Sequence, residues 1–176
     1  IPDEYGRLPI HVAARNDWVV GFDMFLRSNF DWITAKDKSG MSPIMWAAVN
    51  GSEVVFDYLL YTTDEHDDFI FRQYITDDRV EITGNNVLHW LCNLGRTTLV
   101  QKLLDAKIID PNIISEIIKI TPLHYAAKRG YAKICHLLIN AGADPYIRTG
   151  KIKTPYEVAK TSEIKSILEE NRSILI

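Results

Sequence analysis

Self-similarity at a fixed period constrains a chain more tightly than composition does. A repeated segment must adopt a repeated local structure and then bury its apolar face against its own neighbours. Here a short pattern recurs five times. It reads Gly6-Arg7-Leu8-Pro9-Ile10-His11-Val12-Ala13-Ala14, then Gly40-Met41-Ser42-Pro43-Ile44-Met45-Trp46-Ala47-Ala48, then Gly84-Asn85-Asn86-Val87-Leu88-His89-Trp90-Leu91-Cys92. The last two copies are Thr121-Pro122-Leu123-His124-Tyr125-Ala126-Ala127 and Thr154-Pro155-Tyr156-Glu157-Val158-Ala159. With Pro9, Pro43, Val87, Pro122 and Pro155 in register, successive copies lie 34, 44, 35 and 33 residues apart.

Each part of the pattern has a physical reason. Glycine supplies a backbone position that takes positive φ at the tip of a turn. The Ser or Thr that follows, at Ser42, Thr121 and Thr154, caps a helix, and proline sits at the first helical position, where its missing N–H costs nothing. Paired alanines let two helices approach closely. A second helix in each copy carries an apolar stripe, as in Val54-Val55-Tyr58-Leu59, Leu99-Val100-Leu103-Leu104 and Ile134-Leu137-Leu138. Ala141-Gly142-Ala143-Asp144-Pro145 ends one helix with a glycine stop and turns the chain into the next copy.

The pattern resembles the ankyrin repeat, whose period is about 33 residues, over nearly the whole chain. The resemblance implies an all-α, ankyrin-repeat solenoid of about five helix-turn-helix repeats with β-turn fingers. It would form a single domain over 1–176, with copies near 3–36, 37–80, 81–115, 116–148 and 149–176, the last being a carboxyl-terminal cap. The charged helix from Thr161 to Asn171 suits such a cap. The amino-terminal copy has no comparable polar face, and the chain opens at Ile1-Pro2-Asp3, inside a repeat, as if cut from something longer.

Three departures stand out. Lys119 occupies the turn-glycine position of the fourth copy and Val87 the proline position of the third, so those turns are expected to be less ideal. The 44-residue spacing marks an insertion near 61–80, where the acidic run Asp64, Glu65, Asp67 and Asp68 adjoins Phe69, Phe71, Tyr74 and Ile75. A longer loop is thermodynamically cheap, and loops of this length are often functional. Its apolar residues must pack back on the repeats or remain as an adhesive patch.

The chain has 176 residues, and a formal charge of −3 is small for that length and points to neither nucleic acid nor an anionic membrane, so no nucleic-acid partner and no direct membrane insertion is expected. That charge is unevenly placed: residues 1–118 carry 10 Lys/Arg against 18 Asp/Glu, and residues 119–176 carry 10 against 5. Two cysteines, Cys92 and Cys135, both within apolar helical patterns, suit a reducing compartment. No apolar run approaches the length of a membrane span, and no export signal opens the chain. The expected setting is intracellular, on the cytoplasmic face, with any membrane tether lying outside this stretch, and the expected state is a monomer.

Nothing in the sequence assembles an active site, a metal site or a cofactor site. His11, His89 and His124 share one repeat position. Equivalent residues of stacked helices lie about 10 Å apart, whereas zinc ligands stand around 2 Å from one ion. The family resemblance implies a structural role for this histidine, bonding between neighbouring turns. The acidic run matches no calcium loop. Cys135 and His136 are adjacent on a helix and point about 100° apart, so they form no dyad. No catalytic residue is expected, and no cofactor.

The family resemblance also implies a binding face made of finger tips and inner helices, on the concave side. Its turn positions here are Tyr5, Arg7, Lys38, Met41, Asn85, Ile120, Lys151 and Lys153. Its inner-helix positions are Val12, Trp46, Trp90 and Tyr125, with Asn16, Asn50, Leu94 and Arg129 one turn on. Trp46, Trp90 and Tyr125 share a repeat position and are expected to line the face as an aromatic ladder. Such residues are common hot spots and also common packing residues, and the two roles are compatible.

Two narrower resemblances follow. The stretch Asp37 to Ala48, with Asn86-Val87-Leu88-His89-Trp90 and Gly95-Arg96-Thr97-Thr98, looks like the cytosolic ankyrin domain of DHHC palmitoyltransferases. In that family an asparagine after one inner helix and the tryptophan of the next copy hold an extended substrate motif, and Asn50 and Trp90 match those places. The chain has no Asp-His-His-Cys sequence, so the transfer chemistry would lie elsewhere. Neighbouring tryptophans also resemble the methyl-lysine-reading ankyrin domain of histone methyltransferases. There, Met41 and Val49 replace the tryptophan and glutamate that complete the cage. The expected function is a noncatalytic protein–protein interaction module for an extended or loop segment of a partner. The alternative is the substrate-recruiting domain of a membrane palmitoyltransferase.

Overall fold

A computed structural model of the chain describes residues 1–61, 74–80, 82–148 and 153–170. Lys151, the acidic residues 64–68, Phe69 and Phe71 lie outside the described residues. The chain divides into two compact units, Ile1–Ile82 and Thr83–Ile176.

The first unit contains α1 (Pro9–Arg15), α2 (Val19–Ser28), a 3-10 turn (Phe30–Ile33), α3 (Pro43–Asn50) and α4 (Glu53–Tyr61). Residues 74–77 form a further helical turn. Prolines open α1 and α3, and the Ser42 hydroxyl accepts from the Met45 N–H at 3.4 Å. Ala13, Ala14, Ala47 and Ala48 are buried where α1 meets α3, and α2 packs on α4. Phe22, Leu26, Met45, Val55, Phe56 and Leu59 complete this core. Val20 and Met24 stay exposed on α2, as does Trp18 at its amino-terminal cap. Asp17 takes φ 54°, where later copies have glycine, and its carboxylate accepts from the backbone N–H groups of Val54 and Val55 at 3.2 and 2.9 Å. It thereby ties the turn between the two helices of one copy to the second helix of the next.

The second unit contains α5 (Val87–Leu94), α6 (Thr97–Asp105), α7 (Pro122–Arg129), α8 (Ala132–Asn140), α9 (Pro155–Val158) and α10 (Ser162–Glu170). α5 packs on α7 and α7 on α9, while α6 packs on α8 and α8 on α10, so equivalent helices meet in successive copies. Thr154 and Glu157 form a reciprocal cap, with bonds of 3.2 and 2.8 Å. α10 buries Ile164, Ile167 and Leu168 against the unit and turns Glu163, Lys165, Glu169 and Glu170 to solvent.

The finger turns show what the lysine costs. At Gly84 (φ 66°) a Cβ would lie 2.6 Å from the Glu116 backbone nitrogen, because the Glu116 N–H donates to the Gly84 carbonyl at 3.2 Å. Only glycine fits. Lys119 takes φ 56° at the equivalent place, a left-handed conformation that costs a side-chain-bearing residue about 1 kcal/mol.

The three motif histidines bridge copies. His11 accepts from the Leu8 N–H at Nδ1 (3.0 Å) and donates from Nε2 to the Ala35 carbonyl (2.9 Å). His124 does the same with the Thr121 N–H (3.0 Å) and the Lys153 carbonyl (2.9 Å). Both nitrogens are engaged, which excludes metal ligation while the bridge stands. Burial pushes the pKa of both rings below the ordinary histidine range, although carbonyl hydrogen bonds oppose it. The third bridge is imperfect. His89 makes the same two bonds, with the Asn86 N–H 3.3 Å from Nδ1 and the Ile120 carbonyl 3.0 Å from Nε2, but Nδ1 also faces the Asn86 carboxamide oxygen at 2.7 Å. The Thr121 hydroxyl, 2.8 Å from Nδ1 of His124, can donate to that nitrogen. A carboxamide oxygen can only accept, and the buried Asn86 Nδ2 has no partner.

Three outcomes follow. Lys119→Gly is expected to raise stability in urea denaturation by about 1 kcal/mol. Asn86→Thr is expected to add a similar amount, about 1 kcal/mol, by matching donor to acceptor; unchanged denaturation midpoints would contradict these two assignments. The unfolded histidines bind protons more readily than folded His11 and His124. The stability tied to them is therefore complete above about pH 6.5 and lost as pH falls toward the folded values. Melting followed between about pH 7 and 5 should show this loss, and His124→Gln should flatten the profile.

Candidate interaction surface

In the first unit the face is organised around Trp46. Its indole N–H donates to Asp37 Oδ2 at 2.8 Å, and the guanidinium groups of Arg7 and Arg15 lie 5.9 and 5.6 Å from its ring centre. Asp37 is buried. Its Oδ1 accepts from the Ser39 and Met41 N–H groups at 2.8 and 3.0 Å and from the Ser39 hydroxyl at 2.8 Å. Burial alone would raise the Asp37 pKa, but bonds from Met41, Ser39 and Trp46 hold it below the ordinary value. Arg7 pairs with Asp3 at 2.7 Å and lies 4.7 Å from the Tyr5 ring centre. Tyr5, Lys38 and Asn50 are exposed and Met41 is half-buried. The Lys38 ammonium donates to the Glu4 carbonyl at 2.7 Å, and the Asn50 amide donates to the Trp46 carbonyl at 3.0 Å.

Sequence reasoning missed Asp37 and Arg15. The signal for Asp37 was present, since Asp3 holds the first finger in the same way, accepting from the Tyr5 and Arg7 N–H groups at 3.0 and 2.9 Å. Aspartate three residues before the turn glycine is thus a finger-closing residue in both copies.

In the second unit the same repeat position carries Trp90 and Tyr125, both half-buried. The Tyr125 ring meets His89 edge-on, with centroids 6.3 Å apart, and its hydroxyl accepts from the Asn85 amide at 2.8 Å. Asn85 is only 3% exposed, so it acts on the surface by orienting the phenol of Tyr125. Trp90 differs from Trp46 because its buried indole N–H has no acceptor. Leu94 and Ile120 are half-buried. Arg129 is exposed and donates to Asn93 Oδ1 at 2.8 Å, and Lys153 is exposed beside the carbonyl that holds His124. Each unit therefore presents aromatic edges, amides and cations.

These are the tools of recognition. The Cys135 thiol is pushed up to about 12 by burial and stays protonated, so it supplies no nucleophile at neutral pH. Among the described residues no helix is long and apolar enough to cross a membrane.

Comparison with known proteins agrees with this geometry. The family model for ankyrin repeats, in three copies, matches residues 64–149. Palmitoyltransferase AKR1 of Lachancea kluyveri is 37% identical over 161 residues, covering 89% of this chain and 20% of that protein. Rabankyrin-5 of Mus musculus is 24% identical over 141 residues, covering 80% of this chain and 11% of that protein. The chain thus spans a fifth or less of the length of these relatives. Among solved structures, the ankyrin repeat domain of Bcl-3 superposes with a TM-score of 0.78 at 21% identity, over 95% of this chain and 69% of that one. Helix pairs, finger turns, histidine bridges and these matches agree: the chain belongs to the ankyrin-repeat proteins, whose fold is typically a non-catalytic, protein-binding one.

Proposed function

We propose that the chain is a noncatalytic interaction module that grips an extended or loop segment of a partner protein on its finger and inner-helix face. Trp46 and Asn50, with Tyr5, Arg7, Lys38 and Met41 around them, are the contact group of the first unit. Trp90, Leu94 and Tyr125, with Asn85 behind Tyr125 and Arg129, Lys151 and Lys153 at the basic end, are that of the second.

The observation that carries this reading is the indole N–H of Trp90, which lacks the acceptor that Asp37 gives Trp46. A buried donor left unmet costs about 1–3 kcal/mol. The donor is covered in the unbound chain, so a partner carbonyl reaches it only when the half-buried ring shifts; that bond then offsets the cost, and the residue favours a bound state over an empty one. The cations at Arg129 and Lys153 suit a partner with an acidic stretch, through which they speed encounter.

The 37% identity to a palmitoyltransferase favours a second, narrower reading, in which the module recruits the substrate of an acyl transferase carried elsewhere in the polypeptide. Asn50 and Trp90, the pair matched to that family, would then select the substrate.

Capture from an extract of the source cells separates these ideas from a purely packing role. Trp90→Phe keeps an aromatic ring, though a smaller one, and removes the donor. It is expected to cut capture at least about tenfold while circular dichroism and melting stay near the parent values. Lys133→Glu, on the outer helix, should capture normally. Undiminished capture by Trp90→Phe, or a collapse of its melting, would sink the anchor assignment. For the narrower reading, alkyne-palmitate labelling of the captured protein should fall with Trp90→Phe in the full polypeptide; unchanged labelling would reject recruitment.

A further inference from the structure

The insertion that stretches one repeat spacing to 44 residues does more than lengthen a loop. Tyr74, Ile75 and residues 77–79 form one wall of a pocket of about 340 Å³, and Ile33, Ile44 and Leu59 of the first two copies form the others. A copy of the regular 33-residue length has no residues with which to make the inserted wall. That wall is fixed in place. Ile75 is 1% exposed, and the Tyr74 ring lies 6.2 Å from Phe30. Asp78 accepts from the Lys36 ammonium and from the hydroxyl of Ser42, the residue that caps α3.

The chemistry of the lining restricts what enters. Four aliphatic side chains and one tyrosine make the interior. At the rim, Lys36 pairs with Asp78 and also donates to the Arg79 carbonyl at 3.2 Å. The Arg79 guanidinium donates to the carbonyls of Thr76 and Asp78. Two cations, Lys36 and Arg79, thus face two carboxylates, Asp77 and Asp78, and the rim carries no net charge. An ionic head group gains nothing here, whereas an apolar one releases water from an aliphatic wall. The volume sits at the low end of the roughly 300–1,000 Å³ range of ligand pockets.

We propose that this insertion-built pocket is a second anchor site, which takes one bulky uncharged side chain, aromatic or branched aliphatic, from a protein partner. The choice of a protein partner rests on the interaction-module reading, but Trp90 is not among the residues that line the pocket, and the pocket is tested without any partner.

N-acetyl-tryptophanamide and N-acetyl-phenylalaninamide are titrated into the intact chain, and the methyl resonances of Ile33, Ile44, Leu59 and Ile75 are followed. Saturable shifts confined to these methyls are expected, with a Kd on the order of 1 mM for so small a probe. N-acetyl-glycinamide and N-acetyl-lysinamide should move them at least tenfold less. Thr34→Trp, at the exposed rim, should fill the mouth and weaken the aromatic probes at least tenfold while circular dichroism and melting are retained. Trp90→Phe should leave probe binding unchanged, so a failure at Trp90 and a failure here are distinguishable. Absence of saturable shifts, equal shifts with the glycine or lysine probe, or full binding by Thr34→Trp overturns the proposal. So does the finding that Phe69→Ser with Phe71→Ser alone shifts these methyls, because the chain itself then fills the pocket.

Discussion

The histidine bridge is the interaction on which the geometry of three of the five copies depends. One imidazole accepts from the N–H of the residue that caps its own helix and donates to a carbonyl at the start of the following finger. It therefore fixes at once where a helix begins and where the next turn stands. The side chain is fully enclosed, so a neutral ring with both nitrogens satisfied is the only inexpensive state. Close helix packing through Ala13, Ala14, Ala47 and Ala48 supplies the apolar burial, but burial is non-directional and could not set the finger's register alone. The direction comes from the imidazole.

Once the fingers are registered, the inner-helix aromatic position becomes the variable one. Trp46 is held by Asp37 and two arginines, so its N–H and its π system are both engaged. Tyr125 is held by Asn85 and by the edge of the same imidazole ring that bridges its copy to its neighbour. Trp90 alone of the three keeps a buried donor without an acceptor. Identical placement in the repeat thus produces different chemistry, because the finger residues beside each ring differ: Asp37 and Arg7 in one case, Asn85 in another.

That difference explains what the sequence made legible and what it did not. The helix pairs, capping prolines, finger turns and bridging histidines follow from local rules acting within about nine residues, and a period of about 33 repeats them. The strain at Lys119 was legible for the same reason, since the position demands positive φ whatever residue fills it. Burial of Asn85 was not legible, because it depends on the phenol of Tyr125, 40 residues on. Nor was the Lys36–Asp78–Ser42 network, whose members are brought together across 36 and 42 residues by the packing of an inserted segment. A single sequence shows which positions repeat. It does not show which nonlocal neighbour each one acquires.

The insertion shows how such nonlocal neighbours set one copy apart in a repeat architecture. Regular copies share one scaffold and differ only in the side chains that their variable positions carry. Distinct sites arise where regularity is broken and the break is stabilised. Asp78 stabilises this one by joining the inserted segment to the Ser42 cap and to Lys36, two places already fixed by the repeat. Because both anchor points belong to the repeat itself, the wall made by the half-buried Tyr74 and the buried Ile75 is tied to the repeat and lines a pocket with Ile33, Ile44 and Leu59. The Trp90 donor is a break of a smaller kind, in which one finger omits the acceptor that another supplies. In both cases the repeat provides the scaffold, and the exception provides chemistry that the regular copies lack.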